Sequence, residues 1–296
     1  MGPRRKSLFV SRAWRITVLL LFSSSVHGQT KDDFLVVKGA RPVADAVVEL
    51  MKRHPVVVTY EDPRYTYAGD LKDVTDEIRN PLAPPRRPDA PRVFVPVGGQ
   101  IEVRYTVSTE TNKPTDLRAT LESVVQAKLA VPAGGHFRVE QSGSVFHVVA
   151  SEVRDASGRW VAHTSVLDVP ITLASGERSG SERVSAILDE VTATTGVKFA
   201  LNDMALTNGI SNGLPRYSGV TEANNEPARE VMVRALQGMN PRLTWLLYYD
   251  PMSKKYFFNV VMASAVPEPV EIHGEQPRLP RPGDPTPTGR PFRGPN

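Results

Sequence analysis

The sequence predicts an α+β protein of two tandem small domains, each of repeated β-α-β units with helices packed on one side of a small sheet. Stretches with apolar residues at helical spacing occur four times, beginning near Pro42, Pro114, Ser181 and Pro227. Each stretch has one apolar face, as a helix lying on a sheet requires. One strand-like run follows the first and third helices, and a hairpin follows the second and fourth, which indicates an internal duplication.

The clearest unit spans residues 225–262. Pro227 stands in the first turn of its helix, where the missing N–H would be unpaired in any case. The apolar stripe of this helix consists of Ala228, Val231, Met232, Ala235, Leu236 and Met239. Asn240 ends the helix, and two runs rich in aromatic residues, 243–249 and 256–261, follow on either side of a polar turn. We predict one helix that leads into a two-stranded hairpin.

The remaining units follow the same pattern in chain order. Three further helices are predicted from apolar stripes, formed by Val43, Val47, Leu50 and Met51, by Leu117, Leu121, Val124 and Val125, and by Val184, Ile187, Leu188 and Val191. Strands are predicted at 34–37, 56–60, 93–97, 100–108, 137–140, 145–149, 167–173, 197–201 and 217–220. Ser142-Gly143 predicts a tight hairpin turn.

Residues 1–28 have the features of a secretory signal peptide. A basic start precedes the apolar run 16–22, and Gly28 provides the small residue before the predicted cleavage site at Gln29. We therefore expect an exported protein, periplasmic or secreted. The alternative is an uncleaved membrane anchor, but the apolar run is short for a membrane span, so we expect no stable membrane insertion after cleavage.

Composition shifts divide the exported chain. We expect a first domain at 29–150 with a proline-rich loop near 80–92, a polar linker at 151–165, and a second domain at 166–263. Residues 264–296 are rich in proline and poor in apolar side chains, which predicts a disordered tail.

The charge balance and the absence of cysteine exclude several classes of protein. The chain has a formal charge of +4, from 36 basic and 32 acidic residues, but five of the basic residues lie in the first 28. The rest holds 31 basic against 32 acidic residues, so we expect no nucleic-acid partner. Without cysteine there is no disulfide, thiolate metal site or cysteine nucleophile.

No motif indicates a catalytic residue, a metal site or a cofactor. The five histidines after the leader are not spaced as metal ligands. His136 and His147 could approach each other across a hairpin as an adventitious metal pair, which stays an alternative. The acidic pair Glu61-Asp62 falls in a predicted turn and is expected to be solvated rather than catalytic.

The aromatic cluster of the closing hairpin is the most unusual feature. Its members are Trp245, Tyr248, Tyr249, Tyr256, Phe257 and Phe258. They form either a core beneath the helices or an exposed edge strand that binds a partner by strand addition, with Tyr249, Tyr256 and Phe258 as contacts. Aromatic faces also bind sugars, so a glycan ligand stays open.

The second half of the sequence resembles a known family. The residues that carry the resemblance are Leu167-Asp168-Val169-Pro170, Ile187-Leu188, Gly196-Val197-Lys198-Phe199, Gly219-Val220, Glu226-Pro227-Ala228-Arg229 and Leu243-Thr244-Trp245. They are similar to the short N-terminal (STN) domain of secretins and TonB-dependent receptors, and residues 34–150 resemble a more diverged copy. The resemblance implies an exported α/β module used for protein–protein contact. No pore-domain pattern follows, so we expect neither channel nor receptor function.

We therefore expect a non-enzymatic, exported protein–protein interaction module of the bacterial envelope, with an unidentified envelope protein as its partner. The alternatives are a cysteine-independent envelope hydrolase and a cell-wall glycan-binding protein. A deep cleft with ionisable groups of shifted pKa would favour the hydrolase, and an open sheet edge or aromatic surface would favour the binding protein.

Overall fold

The computed structural model describes residues 29–79, 92–131, 133–201 and 214–263. The helices are α1 (Pro42–Arg53), α2 (Leu117–Lys128), α3 (Gly180–Thr195) and α4 (Ala228–Met239). The strands are β1 (Thr30–Gly39), β2 (Val58–Glu61), β3 (Leu71–Asp73), β4 (Phe94–Pro96), β5 (Gly99–Ser108), β6 (His136–Ser142), β7 (Val145–Arg154), β8 (Trp160–Ala162), β9 (Pro170–Ser179), β10 (Lys198–Leu201), β11 (Ser218–Pro227), β12 (Leu243–Asp250) and β13 (Lys255–Met262). This mixture of helices and strands confirms the α+β class.

The two halves of the chain repeat one topology. In the first half (β1 to β8), β1 pairs with β5 as an antiparallel ribbon, and the sheet order is β2-β7-β6. In the second half (β9 to β13), β9 pairs with β11 in the same way, and the order is β10-β13-β12. Each half therefore contributes one ribbon, two helices and three strands of a central sheet.

The two sets of three strands join into one continuous sheet. Its order is β10-β13-β12-β2-β7-β6, and β12 runs parallel to β2, with Leu246 opposite Tyr60. We call this β2–β12 pairing the junction. The short β8 adds to the end of β7. The halves thus share a sheet in addition to the chain connection.

The helices lie on both faces of this sheet. Side chains of α1 and α2 form one core with Tyr60 and Leu246, and side chains of α3 and α4 form another with Trp245 and Leu247. Successive residues of a strand point to opposite faces, so neighbours Leu246 and Leu247 belong to different cores. Each pair of helices covers one face, and the two pairs cover opposite faces.

Several element boundaries differ from the sequence prediction. Much of the predicted linker 151–165 is strand, because β7 continues to Arg154 and pairs with β8. The strand expected at 167–173 begins later and runs to Ser179, whose side chain caps α3 in a capping box with Glu182. The predicted leader, most of the proline-rich loop and the predicted disordered tail lie outside the described residues.

Candidate interaction surface

The aromatic side chains of the closing hairpin are core residues. Tyr249, Tyr256 and Phe258 are 8%, 1% and 0% exposed and belong to the core covered by α3 and α4. Neither β12 nor β13 is an edge strand, since each has a strand on both sides. The prediction that these three residues contact a partner is therefore wrong, because strand alternation turns them toward the helices.

A buried ionic cluster lies at the junction. Arg229, the second residue of α4, is hydrogen bonded to Glu61 at the end of β2, and its Nη2 donates to Asp168 at 2.9 Å. The side chains of Arg229 and Glu61 are 4% and 3% exposed. The Ser165 hydroxyl also donates to Glu61. This cluster ties a helix of the second half to a strand of the first.

Asp62 is the centre of a second buried cluster. Its carboxylate accepts from Arg41 Nε at 2.5 Å and from the backbone N–H of Tyr249 at 3.0 Å. The hydroxyls of Tyr60 and Tyr65 donate to its other oxygen, at 2.6 and 3.0 Å. Burial, together with the charge of Asp62, raises the pKa of Tyr60 and Tyr65 well above the usual value, so both hydroxyls keep their protons.

The expectation that Glu61-Asp62 is a solvated pair is wrong. Both carboxylates are enclosed and bonded to donors of the protein itself, which stabilises a junction and does not expose an acid or base to a substrate. The sequence carries only a weak local signal for this burial. Arg41 precedes the first residue of α1 and Arg229 lies in the first turn of α4, positions where the helix dipole disfavours a cation. Arg41 and Arg229 are paired with buried carboxylates, whereas Arg118 at the equivalent position of α2 is 44% exposed, so the helix position alone does not predict a buried partner.

His147 is a buried neutral histidine beside the junction. Its Nδ1 is 2.8 Å from the Thr59 hydroxyl, and its ring centroid is 5.8 Å from that of Trp245. Within the described ranges, His147 Nε2 has no hydrogen-bond partner. Burial, aided by the positive charge of Arg229, lowers the pKa of His147 to about 3.

The stability of the protein is therefore expected to fall in acid because of His147. Between about pH 6.5 and pH 3 the unfolded chain binds a proton at this histidine and the folded chain does not, so the free energy of unfolding decreases as pH falls, by at most about 1.4 kcal/mol per pH unit. Urea unfolding from pH 4 to pH 8 measures this slope. In His147→Asn, the slope of the free energy of unfolding against pH should be shallower by the amount that corresponds to about one proton. The loss of stability at pH 8, where His147 is neutral in both states, gives the cost of the changed packing. An unchanged slope would contradict the assignment.

His136 and His147 do not form a metal pair. The antiparallel register places His136 opposite Glu152 and His147 opposite Glu140. His136 Nδ1 lies 2.8 Å from Glu152, and the His136 ring stacks on Trp160 at 3.8 Å. Over the described part of the chain, no three His, Asp or Glu side chains are grouped as metal ligands.

Trp160 on β8 is the exposed tryptophan that sequence reasoning missed. Its side chain is 42% exposed, with His136 stacked against it. The guanidinium carbon of Arg154 lies 5.6 Å from the Trp160 ring and 4.7 Å from the Tyr67 ring, and Arg154 is paired with Asp70. Trp160 and Arg154 lie in the segment that was predicted to be a linker.

Lys128 is a buried ammonium group that the sequence did not reveal. Its Nζ donates to the carbonyls of Val131 and Ala133 and thereby fixes the chain after α2. Burial lowers the pKa of Lys128 to about 8, against the opposing attraction of Asp70. Gly134 follows with a φ of 87° and donates its N–H to Asp70 at 3.0 Å, so the chain bends at this glycine.

The two ends of the central sheet are the remaining candidate contact surface. Among the described strands, β6 pairs with β7 alone and β10 pairs with β13 alone. The Val139 carbonyl of β6 faces away from β7, since it accepts from Arg118 Nη1 at 3.5 Å. An edge strand carries backbone donors and acceptors that a further strand can pair with.

No protein-family model matches the sequence, and no curated protein or solved structure is significantly similar to it. Among the described helices, none has the length and apolar composition needed to cross a membrane.

Proposed function

We propose that the protein is an exported, non-enzymatic interaction module of the bacterial envelope that binds another protein at the β6 edge of its central sheet. The open edge of β6 carries the proposal. β6 is seven residues long and the described part of β10 is four, so β6 offers the longer described row of backbone groups for strand addition. Export rests on the predicted leader, and the resemblance to the STN domain agrees with a role in protein contact.

The side chains of β6 suit a reversible contact. Arg138 and Glu140 pair with each other at 2.6 Å, so the edge carries little net charge. Gln141 is exposed, and the residue alternation of an antiparallel pair turns its N–H outward like that of Val139. A proline is tolerated at such a position on an edge strand but removes the N–H that a partner strand needs.

Replacing Gln141 by proline is therefore expected to abolish partner capture while leaving the fold intact. The exported form, Gln29 to Asn296, serves as bait for bacterial envelope extract, with Gln141→Ser as the matched control because it keeps the N–H. Wild type and Gln141→Ser should capture the same protein, and Gln141→Pro should not. Matching circular dichroism confirms that all three baits are folded. Equal capture by Gln141→Pro would exclude the β6 edge as the binding site.

A cell-wall glycan is the second candidate ligand, favoured by the exposed Trp160. Sugar rings stack on aromatic faces, and Glu152 and Arg154 beside Trp160 could hydrogen bond to hydroxyls. Under this alternative, soluble cell-wall fragments change the tryptophan fluorescence of the wild type, and Trp160→Ala loses both the change and the binding. Phe34→Ala, also exposed but on β1, is the control. Unaltered binding by Trp160→Ala would exclude this surface.

The hydrolase alternative has less support. Two groups whose pKa values are lowered by burial, Lys128 and His147, are enclosed by neighbouring residues of the fold, and each contacts a backbone or side-chain partner of its own. A hydrolase would need such groups to face an open cleft. The arrangement therefore supports a binding role.

A further inference from the structure

The junction joins the two halves head to tail. In the second half the contributing strand is β12, the outer strand of the hairpin. In the first half it is β2, the strand that follows the first helix. The strands that correspond to β2 and β12 in the repeated topology are β10 and β6, and among the described strands these two have an unpaired edge. The central sheet therefore ends in β10 on one side and β6 on the other. These two edges correspond to the two strands that pair with each other at the junction.

Strand directions give the symmetry that relates the two halves. In the second half β10 and β13 run one way and β12 runs the other way. In the first half β2 and β7 run parallel to β12, and β6 is reversed. The strand order is kept while every direction is reversed and the helices change face. A rotation of 180° about an axis that lies in the sheet and is perpendicular to the strands produces this relation. It is combined with a translation of three strand positions along that axis.

Repeating the same operation places another second half beyond β6. Its β10 would run parallel to β6, just as β2 runs parallel to β12 at the junction. We infer that a second copy of this chain is a partner, and that the β6 edge of one copy pairs in parallel with the β10 edge of the next. This inference rests on the proposed function, because it names the partner of the same β6 edge.

The register of the new pairing follows from the junction. Leu247 and Val139 each lie three residues before the end of the first strand of their hairpin, so Leu246 corresponds to Arg138. Tyr60 is opposite Val148, which is also opposite Val139. Leu201 is opposite Phe258, which is also opposite Leu247. Because Val139 corresponds to Leu247, Tyr60 corresponds to Leu201. Since Leu246 is opposite Tyr60 at the junction, Arg138 of one copy is placed opposite Leu201 of the next.

The contact between copies is expected to be weaker than the junction. Arg118 holds the second position of α2, as Arg229 does in α4, but its side chain is 44% exposed. At the junction Arg229 meets the buried Glu61, whereas the described part of β10 contains no carboxylate. Within the described residues the new pairing therefore has no equivalent of the buried ion pair, and it should depend on protein concentration.

The contact is also expected to be open-ended. Two different edges meet, so the interface is heterologous, and each added copy keeps the orientation of the last. Such contacts extend as linear assemblies and do not stop at a dimer. A copy whose β6 edge is paired still has its β10 edge available for pairing with a further copy.

Engineered cysteines test the pairing directly, because the natural chain contains none. The exported form, Gln29 to Asn296, is made as Arg138→Cys and as Leu201→Cys, and the two are mixed under mild oxidation. We expect a disulfide-linked heterodimer from the mixture, and no dimer from either variant alone. Ser123→Cys, on the exposed face of α2, replaces Arg138→Cys in the control mixture and should not cross-link to Leu201→Cys.

Wild-type mass is measured by light scattering over a rising concentration series. The expected result is a continuous increase, which Gln141→Pro abolishes. Dimers from each single-cysteine variant alone, or a wild type that stays monomeric with no cross-link in the mixture, would overturn the inference. If the copies do not associate but Gln141→Pro still loses an envelope protein that the wild type captures, the proposed function stands and only the identity of the partner changes.

Discussion

Replacing Arg229 by methionine is expected to lower the free energy of unfolding by about 3–5 kcal/mol, because the change leaves Glu61 buried and unpaired. Asp168 also loses the contact made by Arg229 Nη2. Methionine keeps the length and the helix propensity of the residue, so the effect reports the lost charge pairing. Urea unfolding monitored by circular dichroism measures the change.

Arg234→Met on the same helix is the matched control. Arg234 pairs with Glu226 on the surface, with side chains 53% and 37% exposed, and such pairs contribute about 1 kcal/mol or less. Combining Arg229→Met with Glu61→Gln should recover part of the stability, since the buried charge is then removed. Equal, small effects for both arginines would show that the junction does not depend on its ionic cluster.

Phe258→Ala is expected to cost about 3–5 kcal/mol of unfolding free energy through the cavity it leaves in the core. Phe258 is 0% exposed and stacks beside Trp245, with ring centroids 6.0 Å apart. The same urea measurement applies. Phe34→Ala is the control, since Phe34 is 50% exposed and such surface changes alter stability by about 0.5 kcal/mol. A stable Phe258→Ala protein that loses partner capture would restore the closing hairpin as a contact surface.

The helices were well predicted from the sequence because their signals are local. Apolar stripes at helical spacing located all four described helices, and α1 and α4 begin within about one residue of the predicted starts. The hairpins β6–β7 and β12–β13 were also found, from alternation and turn residues. The repeat was visible because its four units lie in order along the chain.

The candidate site was not predictable because it depends on pairing between distant strands. Nothing in the local sequence indicates that β2 pairs with β12, almost two hundred residues away, and this pairing buries Glu61 and Asp62. The same pairing removes the edge from the aromatic hairpin, so Tyr256 and Phe258 became core residues. The edges that stay unpaired in the described part of the chain, β6 and β10, have ordinary sequences, and their position at the ends of the sheet is set by the strand order.

Amide hydrogen exchange across residues 136–142 is the measurement that tests the proposed strand addition most directly. Exchange is compared for the chain Gln29 to Asn296 alone and bound to a protein that it captures from envelope extract. We predict that the outward-facing amides of Val139 and Gln141 become protected, since a partner strand would bond to them, while the segment around Trp160 is unchanged. Unchanged exchange in β6, with protection elsewhere on the surface, would contradict the proposal.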